Sequence, residues 1–358
     1  MTVYLLYVIS PVLVAGVVRL FSRDPMTDEK NRNWCIVLCG IIMALMVGLR
    51  HYSNGSGDSK LYYDLWERIS KMDFQDFVNY MDNADLEGGF LMSNFVLSRV
   101  FPDPQFTFIF SGIFFAVSVS LFVKKNCKDV ILPFVVFNSL GLFNFMVQGM
   151  RQAIAMCICL YAYEMAKKKK IIWFAVIIAL AMTFHASAIV FAIAYIIRFF
   201  KLNFYGGVAF VAGSAIGIAL LPRLFDLMNE LMNEELVLGA VKEESSRLIT
   251  ILIHISIILF GILFYNFGNK KGDYAPFIYM AILCTMMYTL RNTASNIVER
   301  VSYYFMFAQM VLVSNAIDNI KNKRTKLFFY MLIIILLFAL SVHKASYSIL
   351  IPYEFMWK

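Results

Sequence analysis

The sequence predicts an all-α, polytopic integral membrane protein with about 12 transmembrane helices. Composition is the first observation: of 358 residues, 60% are hydrophobic and 16% are charged, and the mean hydropathy is +0.69. The second is that the apolar residues form runs that cross, or nearly cross, a bilayer. The third is that lysines collect in the short segments between runs, as they do in cytoplasmic loops. Because backbone polar groups in lipid must bond internally, the runs are predicted to be helices.

The apolar runs follow one another along the whole chain. They lie at about 3–21, 34–49, 105–123, 130–147, 152–166, 171–184, 186–200, 207–222, 248–267, 274–290, 301–316 and 327–342. Several are shorter than the roughly 20 residues of an average span, which predicts kinked helices or helices covered by neighbours. No internal repeat is evident, so residues 1–358 are predicted to form a single membrane domain. The first run lacks a basic leader, so no cleavable signal peptide is expected.

Residues 171–200 form an almost uninterrupted apolar stretch. As one helix it would be about 45 Å long, too long for a hydrocarbon core of about 30 Å without strong tilt. We predict two short helices that break near Thr183, Phe184 and His185. This hairpin returns Arg198 to the side from which it started.

Counting basic residues predicts the orientation. With the N-terminus outside and each run crossing once, the inner side carries 14 Lys and 5 Arg, and the outer side carries 5 Lys and 8 Arg. The lysine excess inside is the usual positive-inside pattern, so the net charge of +8 does not indicate a nucleic-acid partner. Arginines at the outer boundary have no orienting role, and they indicate an anion site there.

Two long outer segments are predicted. Residues 50–104 form an outer loop in which Gly88 to Val100 is a short amphipathic helix on the outer face. Residues 223–247 form a second outer loop. Loops of this length are more often functional than connective.

The six cysteines indicate no disulfide framework and no zinc site, since nearly all lie in apolar runs. We therefore expect no metal and no cofactor, although an Asp-bound divalent cation stays open.

The candidate site residues share the predicted outer face, and each has a simpler structural explanation. Arg50 could snorkel, Glu87 could cap a helix, His185 could satisfy backbone groups at the break, and Arg300 could pair with Glu299. Arg151 lies at the membrane boundary and needs a partner, because a half-buried guanidinium is costly alone. Together these positions predict a diphosphate site, since guanidinium binds phosphate through two parallel hydrogen bonds. The predicted diphosphate-binding residues are Arg50, Arg151, Arg291 and Arg300.

Three residues compete for the role of general base: His185, Asp58 and Glu87. An unperturbed imidazole suits neutral pH better than a carboxylate does, whereas the two acids lie in loops that can reach an acceptor. We lean toward His185. The predicted sugar-binding residues are Tyr62, Tyr63, Gln152 and Tyr303.

At these motifs the chain resembles the EpsG family of Wzy-like polysaccharide polymerases. The matching pieces are GLRHYSNGSGDSKLYY, EGGF, the run from Arg151 to Ala155, FHASA, ERVSYYF and the C-terminal Ile351-Pro352-Tyr353. The resemblance implies a GT-C-like fold in a bacterial plasma membrane. It also implies that undecaprenyl-diphosphate-linked oligosaccharide units are polymerised at the outer face.

The expected function is therefore glycosyl transfer from a lipid-linked donor, in which arginines hold the diphosphate leaving group. The expected partners are that lipid-linked oligosaccharide, the bilayer, and chain-length regulator and flippase proteins. Two alternatives stay open. One is a ligase or another lipid-sugar transferase that uses the same donor. The other is a flippase, which should bear polar residues at mid-membrane, where His254 and Glu164 are candidates.

Overall fold

The computed structural model describes residues 1–21, 28–54, 57–200, 202–232, 245–264, 274–289, 296–346, 348 and 350–357. These residues form helices joined by short turns, with an isolated antiparallel bridge between Arg50 and Phe355. The described helices are α1 (Thr2–Phe21), α2 (Glu29–Gly48), α3 (Gly57–Ile69), α4 (Phe74–Asp82), α5 (Gly88–Ser98), α6 (Phe106–Asn126), α7 (Leu132–Leu140), α8 (Leu142–Gln148), α9 (Met150–Lys167), α10 (Ile171–Met182), a 3₁₀ helix (Ala186–Ala192), α11 (Ile193–Ile197), α12 (Phe204–Met232), α13 (Ser245–Leu263), α14 (Ala275–Thr289), α15 (Asn296–Asp318) and α16 (Lys323–Ala345).

The helices form a membrane bundle. Within the described residues, α1, α2, α6 and α16 are long and apolar enough to cross a bilayer, and six further apolar helices are shorter. Large apolar side chains such as Leu13, Ile41 and Ile172 point outward, and a continuous apolar core fills the centre. Apolar residues on both the inside and the outside suit a lipid environment, so the prediction of a multi-pass protein is confirmed.

The break predicted near residues 183–185 is present. Helix α10 ends at Met182, and the 3₁₀ helix begins at Ala186. The second arm returns, because Arg198 Nη1 donates a hydrogen bond of 2.8 Å to the carbonyl of Ala166 at the end of α9. The hairpin prediction is therefore confirmed.

Three predicted elements differ from the structure. The run at 130–147 is two helices, α7 and α8, because Gly141 adopts φ of +101°, a left-handed value that ends a helix. The loop at 50–104 contains α3 and α4 as well as the predicted α5. Helix α12 continues to Met232, so the second outer loop at 223–247 begins as helix, and its residues 233–244 lie outside the described part.

Contacts sort the loops into two opposite ends of the bundle. The lysine end is defined by Arg32, Lys128, Lys167, Arg198 and Lys326. Its loops touch: Arg32 Nη2 donates to Cys127 O at 3.2 Å, Lys167 Nζ donates to Asn126 Oδ1 at 2.8 Å, and Asp318 pairs with Lys128 and Lys326. These are the loops that the lysine count had grouped.

The arginine end is defined by Arg50, Glu87, Arg151, His185 and Glu354. The C-terminal segment folds back here, since His51 N donates to Glu354 O at 2.9 Å. Helix α5 stays at this end: its start contacts the hairpin tip, and Arg99 just after it donates to the carbonyls of Ile69 and Met72. The prediction that this helix does not cross is consistent with these contacts.

Candidate active site

The centre of the arginine end is a salt bridge between Arg151 and Glu87. Arg151 Nη1 donates to Glu87 Oε2, and Arg151 Nε donates to the hydroxyl of Tyr62 at 3.2 Å. The Arg151 and Glu87 side chains are 23% and 12% exposed, so the pair is half-buried. Glu87 occupies the N-cap position of α5, yet its carboxylate caps no backbone N–H. The pairing that Arg151 requires is thus supplied by a residue 64 positions away.

His185 lies on the other oxygen of the same carboxylate. Its Nδ1 is 3.9 Å from Glu87 Oε1 and accepts hydrogen bonds from Ser187 N (3.3 Å) and, when Ser187 Oγ donates, from that hydroxyl (2.9 Å). Ser187 Oγ in turn lies 3.1 Å from the Tyr304 hydroxyl. Because Nδ1 accepts from the backbone, the ring proton of the neutral imidazole is on Nε2.

The charge state of His185 is set by its surroundings. Burial, with the nearby Arg300 and Arg151, lowers the pKa of His185 to about 3. The lowered pKa does not favour the prediction that His185 is the base at neutral pH. His185 is neutral and only weakly basic at pH 7, and it is better suited to donate through Nε2 than to accept a proton.

Arg300 completes the positive surface. Its backbone carbonyl accepts a 2.8 Å hydrogen bond from Gln152 Nε2, and its Nη2 lies 3.6 Å from where a Cβ would stand on Gly149. The Arg300 side chain is exposed. Arg151 and Arg300 both lie close enough to His185 for their charges to lower its pKa, whereas Arg291 lies outside the described residues.

Arg50 is fully buried. Its side chain is 0% exposed, with its guanidinium 4.2 Å from the ring centre of Phe108 and Nη2 3.4 Å from Ser59 Oγ. Its Nε and Nη1 have no hydrogen-bond partner among the described residues. Burial lowers the pKa of Arg50 to about 10, so it keeps its charge at neutral pH. Because its side chain is fully buried, Arg50 presents no accessible surface to a diphosphate in this conformation.

The remaining predicted residues divide by exposure. Tyr62 is 2% exposed, packs against Phe90 and holds Arg151, so its ring faces are covered. Gln152 is also buried and links α9 to α15. Tyr63 and Tyr303 are half-buried beside Tyr52 and Phe145 respectively. Asp58 lies in the first turn of α3, one turn before Tyr62. Its negative charge contributes to the raised pKa of the Tyr62 hydroxyl, of which burial is the largest cause.

Two contributors were missed by sequence reasoning. Ser187 and Tyr304 connect the hairpin tip to α15 through their hydroxyls. Both belong to quoted motifs, FHASA and ERVSYYF, so their position was visible but their role was not. Helix α3 was also missed, although Tyr62, Leu65, Trp66 and Ile69 repeat at helical spacing and are all buried.

Comparison with known proteins gives one family. Searches of curated proteins and of solved structures found no match. The model of the EpsG family matches residues 33–355, which include both arms of the hairpin, the salt bridge and the C-terminal segment. The chain therefore belongs to the EpsG family.

Proposed function

We propose that this protein is a glycosyltransferase that polymerises polyprenyl-diphosphate-linked oligosaccharide units at the outer face of a bacterial plasma membrane. Family membership supports polysaccharide polymerisation. The observation that carries the proposal is the cluster in which Glu87 contacts Arg151 and lies 3.9 Å from His185, with the charge of Arg300 close by. We also propose a GT-C-like relationship for the bundle, because its donor would be lipid-linked.

The leaving group would be held by guanidinium. Arg151 uses only part of its donor set on Glu87 and Tyr62, so its other N–H groups can bind a phosphate oxygen. Arg300 is exposed beside it and supplies a second cation. As the bond from the anomeric carbon to the phosphate oxygen breaks, negative charge grows on the diphosphate. Two fixed guanidinium groups stabilise that charge.

The acceptor sugar attacks with a hydroxyl oxygen, which forms the new bond to the anomeric carbon. Its proton must pass to a base. We assign that role to a carboxylate, Glu87 or Asp58, because His185 is a weak base at its lowered pKa. Donor binding to Arg151 would loosen the Arg151–Glu87 salt bridge and leave Glu87 free to accept the proton. His185 Nε2–H would then donate to the diphosphate or to an acceptor oxygen.

Of the predicted sugar-binding residues, Tyr63 and Tyr303 have partly accessible rings, and we propose that they contact sugar. Tyr62 and Gln152 would act by positioning Arg151 and Arg300. No step in this scheme requires a metal.

The direct test is incubation of the purified protein with a defined lipid-linked repeat unit. A ladder of products differing by one repeat unit supports polymerisation. A single addition to a different acceptor would identify a ligase, and movement of lipid-linked sugar between leaflets without covalent change would identify a flippase. Glu87→Gln and Asp58→Asn, at matched membrane levels and with donor binding measured, separate the two bases. The variant that lacks the true base should lose turnover but still bind the donor.

Glu164 and His254 are the two residues that could have indicated a transporter. Glu164 lies near the lysine end of α9, where it contacts Lys167 and Asn126. It is therefore not a mid-membrane acid. His254 is buried in α13 with its ring 5.2 Å from that of Tyr288.

A further inference from the structure

A cavity of about 670 Å³ lies among the helix ends of the lysine end, at the other end of the bundle from the arginine end. Its walls come from the ends of α6, α9, α11 and α15 and from the start of α14. Five basic side chains line it, together with three asparagines and several aromatic rings. The basic residues are Lys125, Lys128, Lys167, Lys169 and Arg198.

The cavity carries excess positive charge. None of its described lining residues is acidic. Lys128 pairs with Asp318 at 3.5 Å and Lys167 with Glu164 at 3.2 Å, and neither acid is a lining residue. Lys125, Lys169 and Arg198 contact no carboxylate in the described part of the chain. Like charges gathered around a concave surface repel, and an anion relieves that repulsion.

Lys169 occupies a conformation that a lysine rarely adopts. Its φ is +60°, in the left-handed region, at the turn where α9 ends. Glycine or asparagine adopts this conformation at a helix end with a conformational free energy about 1 kcal/mol more favourable than that of lysine. Arg198 is also held firmly, by the Ala166 carbonyl at 2.8 Å and by the rings of Tyr195 and Phe199 at 4.2 and 4.6 Å. The guanidinium of Arg198 is therefore fixed at the cavity, and the turn at Lys169 keeps the backbone of that exposed lysine beside it.

The apolar part of the wall indicates what kind of anion fits. Phe199 is 65% exposed beside Arg198, on the outer surface of the bundle. Pro276, Phe277 and Ala194 line the same cavity. A cationic pocket with an aromatic edge, between helix ends on the cytoplasmic side, suits a phosphate headgroup whose acyl chains remain in the bilayer.

We propose that this cavity binds the headgroup of an anionic phospholipid from the inner leaflet. The group that the cavity would recognise is a negatively charged phosphate, which both a lipid headgroup and a soluble phosphate compound carry. The apolar edge favours the lipid as the source. The site is independent of the donor site at the arginine end, so it stands or falls separately from the polymerase proposal.

The test uses the purified full-length protein in mixed micelles, with native mass spectrometry to measure bound lipid. Phosphatidylglycerol is compared with phosphatidylcholine of identical acyl chains, because both carry phosphate but only the first is anionic overall. The variant is Lys125→Gln/Lys169→Gln. The matched control is Lys321→Gln/Lys323→Gln, which removes two exposed lysines of the same end outside the cavity.

We expect the native protein to prefer phosphatidylglycerol by at least tenfold. The cavity variant should bind it about twenty-fivefold more weakly, roughly fivefold for each of the two cations removed, and the control should stay within about twofold. Equal binding of the two lipids, or an equal loss in the control, overturns the proposal. If the variant fails to fold, Lys125→Arg/Lys169→Arg replaces it, and this variant must keep the preference.

A second arm separates the two sources of phosphate. Pyrophosphate at millimolar concentration should displace little bound phosphatidylglycerol. If instead pyrophosphate binds with the same dependence on Lys125 and Lys169 and releases the lipid, the cavity is a soluble-phosphate site and the lipid proposal is wrong.

Discussion

At the scale of single residues, the site is organised by one carboxylate. Glu87 contacts Arg151 through one oxygen and faces His185 with the other. Each partner constrains the others: Arg151 is neutralised until a phosphate arrives, and the same arginine helps to keep His185 uncharged. The predicted residues therefore act as a coupled group, and substitutions within it should not be additive.

Arg151→Lys should lower polymer formation by roughly a hundredfold, because lysine keeps the charge but loses the planar fork that binds phosphate at two points. Arg151→Ala should lower it further, since Glu87 also loses its partner. Product per unit of membrane protein is the measurement. Arg68→Lys, an exposed arginine of α3, is the control and should retain ordinary activity. Near-normal turnover in Arg151→Lys would remove this residue from the donor site.

His185 should not titrate in the physiological range. Because its folded pKa is depressed to about 3, the folded protein leaves it neutral from pH 8 to pH 5, while the unfolded chain binds a proton below about pH 6.5. The stability it contributes is thus present above pH 6.5 and is lost as the pH falls toward 3. Acidification from pH 7 to pH 5 should cost the native protein up to about 2 kcal/mol more than it costs His185→Gln.

Thermal unfolding at several pH values measures this difference. The pH–activity profile gives a second measurement. His185→Gln should reduce the rate, and any inflection that the native profile shows near pH 6.5 should remain in the variant. Loss of such an inflection in the variant would show that His185 titrates there and would restore it as a candidate base.

At the scale of elements, the site is assembled where α5 meets the hairpin tip. Gly89 N donates to the carbonyl of Thr183 at 2.8 Å, which sets Glu87 and His185 next to each other. A Cβ on Gly89 would stand 2.6 Å from that carbonyl oxygen, closer than real contacts allow. The second glycine of EGGF is therefore required by backbone approach.

Gly89→Ala should push α5 away from the hairpin and lower activity at least tenfold, with the protein still present in the membrane. Gly88→Ala is a close control, because its Cβ would meet only the Met81 sulfur at an ordinary 3.7 Å. Activity and melting temperature are measured for both variants. Equal behaviour of the two alanine variants would show that this contact does not position the site.

At the scale of the whole molecule, the two ends of the bundle differ in chemistry. The arginine end holds the salt bridge and the folded-back C-terminal segment, where Asn54 and Glu354 exchange hydrogen bonds. The lysine end holds the cationic cavity. We propose that the arginine end faces outside the cell and that the lysine-rich end faces the cytoplasm, where lysines orient a membrane protein.

Cysteine labelling tests the orientation. A cysteine at position 60 should react with a membrane-impermeant reagent in intact cells, and one at position 168 should react only after the membrane is opened. Both positions are exposed, and the six native cysteines are buried, so accessibility across the membrane decides the result. The opposite pattern would invert the topology and place the donor site in the cytoplasm.

The sequence alone determined the membrane character, the hairpin break and the grouping of the loops, and it supplied the residues of the proposed site. Lipid solvation imposes long apolar helices, and charged residues must lie at their ends, so these features are written in local composition. The sequence-based prediction missed α3 and α4, because these helices are amphipathic rather than apolar. It also missed the division of the run at Gly141, which depends on one backbone angle.

Only the tertiary structure decided which site residues meet. Nothing in the local sequence around Glu87 or Arg151 shows that they pair across 64 positions, or that Arg50 and Tyr62 are buried while Arg300 is exposed. The same holds for His185: its imidazole is ordinary in composition, and its lowered pKa arises from burial and two distant arginines. Partner choice, burial and pKa depend on contacts between elements far apart in the chain, and helix packing alone creates those contacts.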